Sequence, residues 1–248
     1  MSNRSSAEGR VKSQPVSRGI VVALIGPDGV GKSSQTARLT SIFQQNFKCT
    51  PIYLGSGEGG WEFRRIAKRQ FRKWRGWLRR SGTRAKAPVT DKEFGTNHSV
   101  FTGLSGLVSA LERYVSLRRA IRLAKVGSIV ICDRWPQNLK PGFFDGPLRL
   151  HPHASWTVRQ LSRLEQSFYR RMETFKPDLT IHLVSDFETS NSRKPGDRTR
   201  DDFDQRLALM QKMRAIDPTI VKVDASKSFD EVTRDLRHCI LGALGAAV

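Results

Sequence analysis

Gly26-Pro-Asp-Gly-Val-Gly-Lys-Ser33 fits the spacing G-x-x-x-x-G-K-[ST]. In this pattern each residue type has a task toward a polyphosphate. The glycines let consecutive backbone N–H groups turn inward as an anion nest, with a helix N-terminus behind them. Lys32 supplies an ammonium group to the β- and γ-phosphates of a nucleotide, and the Ser33 hydroxyl is a Mg²⁺ ligand. Gly26, Asp28, Gly29, Val30, Gly31, Lys32, Ser33 and Ser34 form the expected nucleotide-binding set. The expected ligands are ATP and Mg²⁺. A second chemical group is Asp133-Arg134-Trp135. A carboxylate at the tip of a buried strand, in a chain with a phosphate loop, is the expected metal-side acid. A neighbouring guanidinium can clamp a phosphoryl group in a bidentate manner that lysine cannot match. The third group is the mixed-charge segment 193–206, with Arg193, Arg198, Arg200 and Arg206. Such a segment suits a lid that brings cations to developing charge. The expected catalytic residues are Lys32, Asp133, Arg134, Arg198 and Arg200, and the expected metal ligands are Ser33 and Asp133. His151-Pro-His153 lacks further ligands and is weak evidence for a metal.

These residues need elements to hold them. Ile20–Ile25 is an unbroken apolar run directly before the loop, the signature of a strand buried on both faces. After the loop, Ala37, Leu39, Ile42 and Phe43 fall near helical spacing. Further strands are expected at 50–54, 128–133, 179–184 and 220–225. Helices are expected from Leu104 to Lys125, from Trp156 to Phe175 and from about Ser228 onward. In these, Leu104, Leu107, Val108, Leu111, Val115, Leu117, Ile121 and Ala124 are available for burial, as are Leu161, Leu164, Phe168 and Met172. Residues 93–103 and 136–155 read as loops, and His182 as a core histidine. Strands alternating with helices predict an α/β fold, a mostly parallel five-stranded sheet with helices on both faces.

The 248 residues carry 43 Lys and Arg against 23 acidic residues, a net charge of +20. That excess implies an anionic partner. Residues 1–18 read as a disordered basic tail. The segment 61–92 holds twelve basic and two acidic residues, with Phe63, Ile66, Ala67, Phe71, Trp74, Trp77 and Leu78 at spacings of three and four. It reads as an inserted basic amphipathic helix. Packing on the protein body, an anionic membrane surface and nucleic acid all remain open as its role. No apolar run approaches a membrane span, the N-terminus lacks the apolar segment of a signal peptide, and the three cysteines form no C-x-x-C pair. The expected location is cytoplasmic, with attachment to the inner membrane face left open.

With these motifs placed, the chain resembles the thymidylate kinase family over about 19–58 and 104–240. The resemblance rests on the loop Gly26–Gln35, Ala110-Leu-Glu-Arg113, Asp133-Arg134-Trp135, Pro177–Leu183, the arginine-bearing lid and Val223-Asp-Ala225. It implies a single phosphate-loop (P-loop) NTPase domain of kinase type over 19–248, a three-layer sandwich. The implied activity moves the ATP γ-phosphoryl to a nucleoside monophosphate or a related small acceptor. It also implies that Asp28 faces the acceptor's sugar, Arg134 its phosphate and Arg113 its base; a homodimer stays open. The family's Arg-Glu-Pro after the second strand is replaced by Gly55-Ser-Gly, and Ser109 stands where the family tends to place an aromatic. In these respects the chain looks more like the divergent members found with bacterial surface-polysaccharide genes. Alternatives to the small-acceptor kinase are a membrane-surface kinase of polysaccharide biosynthesis and a nucleic-acid-binding NTPase or polynucleotide kinase.

Overall fold

A computed structural model describes residues 18–55, 100–143, 146–196 and 199–246. Expectations for the tail up to residue 17, for the segment 61–92 and for Arg198 lie outside these residues. The strands are β1 (Val21–Ile25), β2 (Cys49–Tyr53), β3 (Ile129–Asp133), β4 (Leu179–Val184) and β5 (Val221–Asp224). The helices are α1 (Lys32–Phe43), α2 (Val100–Lys125), α3 (Trp156–Glu173), α4 (Phe187–Arg193), α5 (Arg200–Ile216) and α6 (Phe229–Ala246). The chain divides into two compact units. One takes residues up to Ile52, Val115–Trp135 and Thr174 onward; the other takes Tyr53–Tyr114 and Pro136–Glu173.

The first unit contains the sheet, in the order β2-β3-β1-β4-β5. β1 runs parallel to both β3 and β4, and β4 parallel to β5. All five residues of β1 are buried, as a central parallel strand requires. Val22, Leu24, Ile129, Ile131, Ile181 and Leu183 form one core with Leu39 and Phe43 of α1 and Val232, Leu236 and Ile240 of α6. The chain leaves β1 toward β2 on one side and leaves β3 toward β4 on the other. β1 and β3 are adjacent, so the crevice beyond their carboxyl ends is a topological switch point, where open α/β sheets bind ligands. The glycine loop follows β1 there, and Asp133-Arg134 ends β3. Asp178 secures the other end of β1, accepting from Val21 N–H at 2.8 Å and from Arg18 at 3.1 Å.

The second unit packs the first half of α2 on α3 through glycine. A Cβ on Gly103 would come within 3.1 Å of Leu161, and one on Gly106 within 3.2 Å of the Glu165 carboxylate. Arg113 is buried here. Its Nε donates to the Leu54 carbonyl at 2.6 Å, and its guanidinium bonds the Tyr169 hydroxyl and lies 5.7 Å from that ring. Glu165 accepts from Leu148 N–H at 3.1 Å, and burial raises its pKa. Buried Gln137 accepts from the N–H groups of Leu139 and Lys140 and donates to the Lys140 carbonyl, which pins the turn after β3.

Several expectations are corrected. α2 begins at Val100, so the end of the 93–103 loop is helical. Of the residues available for burial in α2, Leu117 and Ala124 are buried, but Leu104, Val108, Leu111 and Val115 face solvent. The buried face of α3 is Val158, Ser162, Glu165, Tyr169 and Met172, while Leu164 is exposed. Within the segment expected as a lid, residues 200–206 are helical rather than loop, the first turns of the 17-residue α5. Thr199 caps that helix by accepting from Asp202 N–H, and Asp201 and Asp202 lie in its first turn, where acidic groups suit the helix dipole. α4 was not foreseen from the sequence; its cap is Asp186, accepting from Thr189 N–H at 2.6 Å.

Candidate functional site

The loop between β1 and α1 turns on glycines with φ of 151° at Gly26, 87° at Gly29 and 90° at Gly31. At Gly29 the absence of a side chain is needed twice over: the backbone is left-handed, and a Cβ would sit 2.6 Å from the Ser190 carbonyl oxygen. Gly31 is the N-cap of α1 and no side chain caps it, so the first N–H groups of the helix stay available to a ligand. Val30 is buried in the core and anchors the loop from below. Above the loop opens a cleft of about 480 Å³, within the range of nucleotide-sized sites. Its lining includes Asp28 through Gln35 and Arg134, together with Arg193, Lys194, Ala225, Lys227, Phe229 and Val232; Gly26, at the start of the loop, is not part of it.

The charges are arranged around Asp28. Lys32 is buried, and its Nζ donates to the carbonyls of Gly26 at 2.8 Å and Pro27 at 2.6 Å, with Asp28 Oδ1 3.9 Å away. The same Oδ1 accepts from Arg134 Nη2 at 2.6 Å. Arg134 is the one described non-glycine residue with positive φ, 76°. A left-handed arginine at a strand end carries strain of about 1–2 kcal/mol. Its N–H still bonds the Leu24 carbonyl at 3.0 Å, extending the ladder one residue past β3.

Asp133 is 4% exposed. The Ser33 hydroxyl donates to its Oδ2, whereas its Oδ1 is buried with no hydrogen-bond partner. A buried carboxylate oxygen without a partner is costly. Together with a serine hydroxyl it makes a hard, all-oxygen donor pair suited to Mg²⁺, an ion that takes few protein ligands and keeps waters and phosphate oxygens. The residues therefore fit the expected metal. Among the described residues no cluster of three or more His, Cys, Asp and Glu could hold a metal by itself. His153 N–H bonds His151 Nδ1 at 3.2 Å.

Of the other expected residues, Ser34 lines the cleft and Arg113 lies in the second unit, bonded as described above. Arg200 does not line the cleft. It is exposed, pairs with Glu188 at 2.9 Å and lies 5.6 Å from the Phe187 ring. Arg193 does line it, and its Nη1 donates to the Ala225 carbonyl at 2.9 Å. Lys227 and Phe229 were not foreseen, because nothing in their local sequence marks them. Gln35 ties the loop's helix to α6, donating to the Phe229 carbonyl at 3.0 Å and accepting from the Thr233 hydroxyl at 2.8 Å. The cysteines are free thiols; burial raises Cys49 to about 11 and Cys132 further, so neither is a nucleophile at neutral pH.

A parallel five-stranded α/β sheet whose first strand opens into this loop defines a P-loop NTPase-like protein. The chain is 30% identical over 224 residues to "Uncharacterized ATP-binding protein YghR" of Escherichia coli strain K12, covering 89% of this chain and 86% of the relative. It belongs to the same family as that protein. A second protein of that strain, "Uncharacterized ATP-binding protein YghS", is 29% identical over 249 residues, covering 94% and 96% of the two chains. A solved structure titled "Crystal structure of APE1195" aligns with 92% of this chain at 17% identity and a TM-score of 0.40, too distant to bear on function. No protein-family profile matches the chain. Among the described residues no helix is long and apolar enough to cross a membrane.

Proposed function

We propose that the chain is an ATP- and Mg²⁺-dependent phosphotransferase of the thymidylate-kinase-like type, acting on a nucleoside monophosphate or a related small acceptor. The observation that carries this reading is the buried Asp133 carboxylate, bonded through one oxygen to Ser33 and unpartnered at the other, beside a lysine-bearing glycine loop. The names of the relatives, which are ATP-binding proteins, support the nucleotide.

In this reading the loop amides and the N-terminus of α1 bind the phosphate tail. Lys32 leaves the Gly26 and Pro27 carbonyls and meets the β- and γ-phosphates. Ser33 and Asp133 hold Mg²⁺, which neutralises phosphate charge when bound. An acceptor oxygen attacks the γ-phosphorus, the bond to the bridging oxygen breaks and ADP leaves. The chain's work is positioning and charge stabilisation, with no covalent enzyme intermediate. Arg134 is the cation for the acceptor's phosphate or the transferring group. Asp28 holds it in place beforehand and then exchanges that contact for the acceptor. Arg113 and Arg198 are assigned to the acceptor and the transition state by resemblance and charge.

The test is Lys32→Ala, assayed for ATP binding by calorimetry and for turnover with labelled ATP against nucleoside monophosphates, sugars and oligonucleotides. Turnover falls by about 10²–10³-fold, as for other buried charge-stabilising groups, while the circular dichroism spectrum persists. Undiminished turnover in the variant, or no heat from ATP and magnesium with the unaltered chain, refutes the reading.

A further inference from the structure

β5 stands at one end of the strand order, so among the described residues no further strand lies beyond it. Between β5 and α6 opens a second space, a groove of about 560 Å³. The strand lines it from Lys222 to Asp224, and α6 lines it with Arg234, Asp235, His238 and Cys239. Lys227, in the turn between the two elements, borders both this groove and the nucleotide cleft; the other residues of the groove do not reach the cleft.

The charges in the groove do not cancel. Both of its carboxylates are engaged. Asp224 accepts from the N–H and the hydroxyl of Ser226 at 2.9 and 2.6 Å, and Asp235 pairs with Lys227 at 2.7 Å. Lys222, Arg234 and His238 are exposed, and no hydrogen bond or ion pair joins their side chains to another described residue. Lys222 acts on Asp224, and Arg234 on Glu231, only through space. Arg234 and His238 are four apart on α6 and so share one face of the helix, while Lys222 borders the same groove from the strand. A neutral or cationic occupant would leave these groups without a partner. A phosphate group suits them: it carries up to two negative charges, and its oxygens take a guanidinium in a bidentate manner and an ammonium as a point charge. The half-buried Cys239 and the aliphatic stems of the lysines offer a less polar wall to whatever bears the phosphate. We propose that the groove between β5 and α6 is a second anion site, built for a phosphate group on a small soluble molecule and separate from the nucleotide cleft. It stands on its own residues, whatever reaction the glycine loop serves.

Cys239 is a reporter inside the groove, since Cys49 and Cys132 are buried. The experiment follows alkylation of Cys239 in the full chain by iodoacetamide, a neutral reagent, at alkaline pH, with the modified residue identified by mass spectrometry. The probe is inorganic pyrophosphate without divalent cations, compared with potassium chloride at equal ionic strength. At about ten times its dissociation constant the probe slows alkylation about tenfold, by mass action. The double variant Lys222→Gln, Arg234→Gln, with an unchanged melting curve, loses that protection, whereas Lys32→Ala keeps it. Equal protection by chloride, protection that survives the double variant, or no protection at all overturns the proposal. Protection that disappears in Lys32→Ala overturns it as well, because the probe would then act from the glycine loop.

Discussion

His182 gives the protein a defined acid sensitivity. It lies in β4 and is fully buried, and neither imidazole nitrogen has a hydrogen-bond partner. Burial first, and then the cations of Arg214, Lys222 and Lys32, lower its pKa from 6.5 to about 4. Above the ordinary value the imidazole is neutral in folded and unfolded chains alike, and it contributes no pH dependence. As pH falls through 6.5 the unfolded chain takes up a proton that the folded chain refuses, so stability is lost from there down to about 4. Each pKa unit is worth about 1.4 kcal/mol, so the gap of about 2.5 units amounts to about 3 kcal/mol when fully expressed, of which about 2 kcal/mol is gone by about pH 5. The perturbation is His182→Leu, of similar volume and with nothing to protonate. The assay is urea unfolding of both proteins from about pH 8 to about pH 5, comparing extrapolated stabilities. Carboxylates and the other histidines contribute equally to both, so the difference isolates the buried imidazole. The two curves should diverge by about 2 kcal/mol at the acid end, the variant being the less sensitive. Curves that stay parallel would show that the buried ring is protonated in the folded chain, and would refute the reasoning.

Two further predictions concern the backbone of the site. Gly29→Ala meets both a left-handed φ and the Ser190 carbonyl 2.6 Å from the new Cβ, whereas Gly31→Ala meets a similar φ of 90° and open space. Gly31→Ala should therefore cost about 1–2 kcal/mol of strain, and Gly29→Ala clearly more, with nucleotide affinity lost in a calorimetric titration. Equal melting temperatures for the two variants would contradict this. Arg134→Gly relieves the left-handed strain that Arg134→Ala retains, so the glycine variant should be the more stable by about 1 kcal/mol while both lose turnover alike. Equal stability would mean that φ of 76° carries no strain at this position.

The parts of the molecule that were legible in the sequence are those where neighbouring residues carry the information. β1 declared itself because a central parallel strand is buried on both faces, and the loop because Gly26, Gly29, Gly31, Lys32 and Ser33 act within one turn. Asp133 was legible as the last residue of a buried strand. The exposure of Leu104, Val108, Leu111 and Val115 on α2 was not, since a spacing of three and four reads the same whether a face packs inward or points outward. The start of α5 was readable in Thr199 and the two aspartates after it, though the arginines around it drew the reading toward a loop. Arg193 facing Ala225, and Phe229 at the cleft, depend on contacts across more than thirty residues. The roles of Arg113 and Arg198 rest on resemblance and on charge.

The side-chain amide of Gln35 joins two elements separated by almost the whole length of the chain, 194 positions to Phe229 and 198 to Thr233. Contacts of such separation form slowly, because the intervening segment must be ordered first. During synthesis the wall of the cleft that Phe229 and Val232 supply follows the glycine turn only after nearly two hundred further residues. Competence to hold a nucleotide is thus acquired long after the motif itself has been made, and a nascent chain interrupted before α6 would carry the full motif and lack the pocket.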